Sequence, residues 1–235
     1  MKWRENKFFW LTIFGIAMGF LEAAVVVYLR KLYYPGGFEF PLLWLSADIL
    51  SIEWLREVST IVMLIAIAYL AGKNKWERFS YFLFSFAVWD IAYYLGWKAF
   101  LDWPSSLLTW DALFLIPIPW AGPVLAPVIC SAIMIVMAIL IVRLQQKNRK
   151  FNIKIKEWLL LLAGSLFILY TFLYDYGKLI IANGFLPNFF ELAADEEFKE
   201  IVLQYVPAYY NWSLFVVGML LIITAVILLC IRNKK

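Results

Sequence analysis

The stretch that decides the fold runs from residue 79 to residue 127 and reads FSYFLFSFAVWDIAYYLGWKAFLDWPSSLLTWDALFLIPIPWAGPVLAP. Its first half is a mainly apolar run that carries one acid, Asp90, near its middle. Its second half stays apolar but contains four prolines within eleven residues. A carboxyl is costly inside a bilayer, and irregular backbone is tolerated there only where it is buried in protein or lines a cavity. We therefore expect this stretch to build a functional site.

The composition predicts an all-α, polytopic integral membrane protein. Apolar residues make up 64% of the 235 residues, and charged residues make up only 16%. Several apolar runs approach the roughly twenty residues that a helix needs to cross about 30 Å of hydrocarbon. The sequence lacks the alternating pattern of outer-membrane strands. Because no large polar segment separates the runs, we expect a single domain over residues 1–235, built as a bundle of six transmembrane helices.

Six stretches fit transmembrane helices. They cover about residues 8–30, 52–72, 79–97, 124–144, 157–180 and 209–231. The first follows a basic start like that of a signal peptide, but its apolar run is too long and carries Glu22, so we interpret it as a retained span. Ser51 is expected to cap the second span, and Gly72 is expected to end it.

The segment LFLIPIPWAGPVLAP, residues 113–127, contains Pro117 and Pro119 followed by Trp120. Prolines at this spacing oppose a regular helix, because each removes a backbone donor and crowds the preceding turn. The side chains are too apolar for a solvated loop, so we predict a re-entrant or broken segment before the fourth span. A helix with proline kinks is the alternative interpretation.

An amphipathic surface helix is predicted before the sixth span. Asn188 with Glu191 resembles a helix N-cap, and Phe198, Val202 and Tyr205 follow at roughly helical spacing. We expect this acidic helix to lie on the membrane or over the bundle.

The distribution of basic residues predicts the orientation of the chain. With six spans, the two termini and the loops at residues 73–78 and 143–156 share one side and hold 15 of the 21 Lys and Arg residues. Loops rich in Lys and Arg stay in the cytoplasm. We therefore predict a plasma (inner) membrane protein with both termini cytoplasmic, and 14 of the 17 acids in or beyond the outer part of the membrane.

With this topology, several ionisable side chains fall at a similar depth in the outer half of the bundle. We predict that they line one outward-facing cavity that binds a ligand or protons, formed by Glu22, Arg56, Glu57, Asp90, Tyr94 and Asp175. The further predicted wall residues are Tyr93, Tyr174, Pro117, Pro119 and Trp120. Catalytic residues are not identified.

Structural interpretations of the same residues remain open. Gly15 and Gly19 share a helix face with Glu22, so this carboxyl can simply be hydrogen-bonded where two helices pack closely. Glu53 can pair with Arg56 at i+3 in an interfacial ion-pair cluster. Asp175 can pair in the same way with Lys178 on the fifth span.

The sequence contains no histidine. This absence disfavours haem with histidine ligands, the usual zinc sites and Ser-His catalysis, so we predict no cofactor and no metal. A glycine-rich phosphate loop is also missing from the sequence. The basic run at 143–156 is explained by topology, so nucleic acid is not a predicted partner.

Three function classes remain. The first is the binding or translocation of a proton, a cation or a small polar ligand. The second is a non-catalytic subunit of a larger membrane complex, with the aromatic surface and the acidic helix as docking faces. The third is an enzyme acting on a lipid-like substrate through carboxylate acid and base groups. The predicted partners are the lipid bilayer and other membrane subunits or further copies of the chain. We expect binding rather than catalysis.

Overall fold

The computed structural model describes residues 6–148 and 151–233, apart from the side chain at position 190. Within these residues the chain forms seven α-helices: α1 (Lys7–Tyr33), α2 (Ala47–Ala71), α3 (Lys75–Leu101), α4 (Leu125–Lys147), α5 (Ile155–Ala182), α6 (Glu196–Val202) and α7 (Trp212–Asn233). A 3₁₀ segment covers Leu186–Ala194. Two short strands, β1 (Trp110–Ala112) and β2 (Ala121–Pro123), lie between α3 and α4.

Five of these helices, α1, α2, α4, α5 and α7, are long and apolar enough to cross a membrane. Their outer faces expose large apolar side chains, such as Leu70 at 80% exposure. A helix satisfies its backbone groups internally, which is what the bilayer core requires. These features confirm the prediction of an all-α protein and are compatible with the predicted multi-pass membrane protein.

α3 corresponds to the third predicted span. It is as long as α1, at 27 residues, but it is richer in Tyr, Trp and Ser and is therefore less apolar. It packs against α1, α2 and α4, and eleven of its residues are buried. A helix enclosed by three others presents little surface to lipid and does not need a continuous apolar exterior.

Long helices that follow one another in the chain run in alternating directions, as the contacts at one end of the bundle show. Near the start of α1, Lys7 donates to the Ala71 carbonyl at the end of α2 and lies 3.8 Å from Glu77 in the first turn of α3. Arg232, near the end of α7, pairs with Glu157 in the first turn of α5 at 2.7 Å. Part of the charge pattern behind the predicted orientation lies outside the described residues: Lys2, Arg4, Glu5, Arg149, Lys150, Lys234 and Lys235.

The ends of α2 differ in part from the prediction. The helix begins at Ala47, five residues before the predicted start, and the predicted cap Ser51 is wrong. Ser51 lies inside the helix and donates to the Ala47 carbonyl at 2.7 Å. The end of α2 at Ala71, directly before Gly72, is as predicted.

The predicted amphipathic helix before the last span is two shorter pieces, the 3₁₀ segment and α6. Asn188 has φ −105° and ψ 27°, which breaks the helical geometry at the predicted cap. The residue that caps α6 is Asp195, whose side chain accepts from the Phe198 N–H at 2.9 Å. Phe198 and Val202 are buried, so this region packs over the bundle.

Residues 113–120 of the proline-rich segment form the turn of a β-hairpin, and the alternative of a kinked helix is wrong. β1 and β2 pair antiparallel, with Asp111 opposite Gly122. The pairing continues toward the turn, where the Leu113 N–H donates to the Trp120 carbonyl at 2.8 Å. Pro117 lies at the tip, where the absence of an N–H leaves no pairing broken.

Glycines set two close helix contacts. The predicted approach of another helix beside Gly19 is confirmed, since a Cβ there would lie 2.6 Å from the Trp89 carbonyl oxygen in α3. In the same way, α5 and α7 meet where a Cβ on Gly164 would lie 2.6 Å from the Gly218 carbonyl oxygen. Small residues allow such backbone approach between membrane helices.

We predict that Gly164→Ala destabilises the protein by about 1–3 kcal/mol, because the new methyl group collides with backbone that cannot move aside. Gly177→Ala in the same helix is the matched control, since its Cβ would meet only Ile118 at 3.9 Å. It should remain within about 1 kcal/mol of the wild type, on the stabilising side. Thermal unfolding of the detergent-purified variants measures both effects. Equal melting temperatures for the two variants would contradict the packing described above.

Candidate functional site

An ion-pair cluster joins α1, α2 and α3 inside the bundle. Arg56 donates to the Glu22 carboxylate through Nη1, and to Glu53 Oε2 through Nε at 3.0 Å and Nη2 at 2.8 Å. Glu22 Oε2 also accepts from Thr60 Oγ1 at 2.7 Å and from Trp89 Nε1 at 3.1 Å. Both carboxylates are buried, and their pairing with one guanidinium offsets the cost of that burial.

Glu57 connects α2 to the hairpin. Its two carboxylate oxygens accept from the Leu115 N–H, at 2.9 and 3.1 Å. Glu57 is 5% exposed and forms no ion pair within 4 Å with any side chain among the described residues. A carboxylate accepts about four hydrogen bonds. Glu57 therefore keeps unused acceptor capacity inside the protein.

A second buried ion pair holds the hairpin against α1 and α3. Arg30 Nη2 donates to Asp111 Oδ1 at 2.7 Å, and the Tyr94 hydroxyl donates to Asp111 Oδ2 at 3.0 Å. The guanidinium carbon lies 3.8 Å from the Trp97 ring centre and 4.2 Å from that of Trp103, both cation–π distances. Arg30 Nη1 is buried and has no hydrogen-bond partner among the described residues.

These groups border a polar cavity of about 130 Å³. Its charged and hydroxyl-bearing lining residues are Arg30, Tyr33, Tyr34, Glu53, Arg56, Glu57 and Tyr93. A volume of this size accommodates several water molecules or a small headgroup. The cavity and its ion-pair partners contain four carboxyls, at Glu22, Glu53, Glu57 and Asp111, and two guanidinium groups, at Arg30 and Arg56. Only Glu53, Glu57, Arg30 and Arg56 line the cavity itself, so the formal charges of its wall balance. Counting the ion-pair partners Glu22 and Asp111 as well gives the whole cluster a formal charge of −2 when all six groups ionise.

A larger apolar groove of about 590 Å³ lies next to the polar cavity. It runs between α2, the hairpin turn and the 3₁₀ segment with α6, and is lined by residues such as Trp44, Trp54, Val58, Pro117, Pro119 and Phe198. Four residues line both spaces: Leu42, Leu43, Leu45 and Leu115. The groove and the polar cavity therefore share a wall.

Four of the predicted site residues come together in or beside the polar cavity. Arg56, Glu57 and Tyr93 line it, and Glu22 contacts it through Arg56. Tyr94 lies one contact further away, hydrogen-bonded to Asp111 in the hairpin.

Asp90 and Asp175 lie away from this cavity. Asp90 Oδ2 accepts from Ser131 Oγ at 2.7 Å, in the contact between α3 and α4. Asp175 accepts from the Tyr205 hydroxyl, and among the described residues the predicted ion pair with Lys178 is not formed. Successive helical residues are rotated by about 100°, so carboxyls at one depth can still face different neighbours.

The remaining predicted wall residues are distributed over several places. Pro117 and Pro119 line the apolar groove rather than the polar cavity. Trp120 is hydrogen-bonded within the hairpin turn, where its Nε1 donates to the Ile116 carbonyl at 2.8 Å. Tyr174 lies on α5 at 37% exposure.

Sequence reasoning did not assign a role to Arg30 or Asp111. Arg30 stands at the end of the first predicted span, and Asp111 stands between the third predicted span and the proline-rich segment. One feature of the sequence indicated the burial of Asp111: it lies two residues before the apolar proline-rich segment, which was itself predicted to enter the bundle. Its partner, 81 residues earlier, is visible only in the folded chain.

We predict that Arg30→Met destabilises the protein by about 3–5 kcal/mol, because it leaves the Asp111 charge buried without its partner. Adding Asp111→Asn removes the stranded charge and should restore part of the lost stability. Lys98→Met is the matched control, since it breaks the exposed pair with Asp102 and should leave the melting temperature unchanged. Thermal unfolding distinguishes the variants, and equal melting temperatures for Arg30→Met and Lys98→Met would contradict the anchoring role.

The site supplies buried carboxylates and two guanidinium groups that can bind a polar ligand by charge and hydrogen bonds. Within the described residues, no group of three or more Cys, Asp or Glu side chains is placed to hold a metal ion. Comparison of the chain with protein-family models, curated proteins and solved structures gives no match.

Proposed function

We propose that this chain is a membrane protein of six transmembrane helices that binds or translocates a proton, a cation or a small polar ligand in the polar cavity. The observation that carries the proposal is the Glu57 carboxyl, which is buried, lines the cavity and has no ion-pair partner among the described residues. An unpaired carboxylate inside a bilayer costs at least about 2.5 kcal/mol, so uptake of positive charge there is favourable. Glu57 is the proposed primary ligand, and Arg56 and Tyr93 are proposed to orient what binds.

The six-span topology includes α3 as the third span. At a rise of about 1.5 Å per residue, its 27 residues are long enough to cross the hydrocarbon core. With alternating helices, the loops and termini that hold 15 of the 21 Lys and Arg residues share one side. The positive-inside rule makes that side cytoplasmic, in the plasma (inner) membrane. The hairpin and the polar cavity are then on the outer side.

The same topology makes the hairpin turn a re-entrant segment. Leu115, in the turn, is hydrogen-bonded to Glu57, which lies ten residues after the start of α2. Ten helical residues rise about 15 Å, roughly half the thickness of the hydrocarbon core. Among residues 113–120 of the turn only Pro117 is exposed, and it has no backbone N–H that would need a partner in the bilayer.

We predict that methylammonium stabilises the wild-type protein against thermal unfolding, because the folded cavity binds it and the unfolded chain does not. Glu57→Gln should raise its dissociation constant about tenfold or more. Asp48→Asn, which removes an exposed acid from the first turn of the same helix, should bind like the wild type. All titrations are run at matched ionic strength. A shift that is absent, or identical in the Glu57→Gln variant, would refute the proposed cation site.

We predict that a polar, membrane-impermeant thiol reagent labels Glu57→Cys from outside the cell, because the cavity opens to that side. The background is a chain in which Cys130 and Cys230 are replaced by Ser. Val62→Cys is the matched control, since this residue is exposed on α2 close to the midpoint of the helix and should stay unlabelled from both sides. Mass spectrometry after labelling of intact cells and inside-out vesicles gives the readout. Labelling of Glu57→Cys only from the cytoplasmic side would reverse the proposed orientation.

A further inference from the structure

The apolar groove has a composition suited to a hydrocarbon chain. Among the residues that line it, Ser51 supplies the only side-chain hydroxyl, and the others are aliphatic, aromatic or proline. Its volume of about 590 Å³ falls within the range of roughly 300–1,000 Å³ that is usual for ligand pockets. Prolines and aromatic rings lose little rotational freedom on contact, which suits a preformed site.

The groove opens toward the lipid-facing side of α2. Leu55 lines it at 68% exposure, and Val58 lines it at 50% exposure. A chain in the bilayer therefore reaches the groove sideways, without passing through water. The two sides of α2 differ at this level, because Val58 faces the groove and the preceding residue, Glu57, faces the polar cavity.

The groove lies next to Glu57, the carboxylate with unused acceptor capacity. Leu115 lines both spaces, and its backbone N–H is the group that donates to Glu57 at 2.9 Å. The shared wall is otherwise formed by Leu42, Leu43 and Leu45. A residue of the groove lining, Leu115, is thus in direct hydrogen-bond contact with Glu57.

We infer that the ligand is a single-chain amphiphile with a cationic, hydrogen-bond-donating headgroup. The headgroup binds at Glu57 in the polar cavity, and the hydrocarbon chain occupies the groove. The inference rests on the proposed function, since it names the class of ligand for the same cavity. Glu57, the carboxyl of the cavity wall without an ion-pair partner among the described residues, selects a cationic headgroup over an anionic one. The adjoining apolar groove selects a long chain over a freely diffusing ion.

The test compares dodecylamine with methylammonium in nanodiscs of zwitterionic phosphatidylcholine. Dissociation constants are measured by ligand-dependent thermal unfolding. Dodecylamine partitions equally into the lipid of every sample, so differences among variants report the groove itself. Val58→Trp fills the groove and should weaken dodecylamine binding about tenfold or more, while methylammonium stays within about twofold. Leu55→Trp fills the same groove from a more exposed position and should weaken dodecylamine binding to a similar extent.

Val62→Trp is the matched control, because Val62 is also exposed on α2 but does not line the groove. It should leave both dissociation constants within about twofold of the wild type. Glu57→Gln should weaken both amines, because it removes the headgroup site.

The outcomes separate the two proposals. Unchanged dodecylamine binding in both groove-filled variants would overturn the chain site and leave the cation site intact. Unchanged methylammonium binding in Glu57→Gln would overturn the cation site itself. Dodecanoate that competes as well as dodecylamine would overturn the choice of a cationic headgroup.

Discussion

A charge buried in an apolar bundle is costly unless it is paired, and this constraint organises the packing of α1, α2, α3 and the hairpin. Arg56 neutralises part of the charge of Glu22 and Glu53, and Arg30 pairs with Asp111. All but one of these pairs join different elements, so the ion pairs also set how α1, α2 and the hairpin sit against α3. Breaking any of them would leave a buried charge without a partner, which costs more than the pair contributes.

The hairpin lines both the polar cavity and the apolar groove. Its strands bring Asp111 to Arg30, and its turn brings the Leu115 N–H to Glu57. The prolines at the tip face the apolar groove, where a missing N–H has no consequence. One short segment thus anchors itself by an ion pair, supplies a donor to the polar cavity and forms part of the groove wall.

A cavity lined by an unpaired carboxyl and adjoining an apolar groove fits the proposed ligand, which has two chemical ends. The groove would position the hydrocarbon chain, so that filling the groove would also keep the attached headgroup from its site. Affinity would come from the headgroup, where a cation meets a buried carboxylate in a medium of low dielectric constant. This division of roles explains why α2 presents acids on one side and apolar residues on the other.

The sequence by itself determined the helical class of the protein. Long apolar runs specify helices through local hydrogen bonds, and Gly19 specifies a close helix approach wherever a partner is available. The same local reasoning predicts a common level for Glu22, Arg56 and Glu57, and Arg56 does contact Glu22 in the folded chain. Tertiary structure alone decided which neighbour each side chain faces. Asp90 meets Ser131 rather than the cavity, and Arg30 meets Asp111 across 81 residues. The rotation of helices and the pairing of short strands depend on distant contacts, and a single local stretch does not encode them.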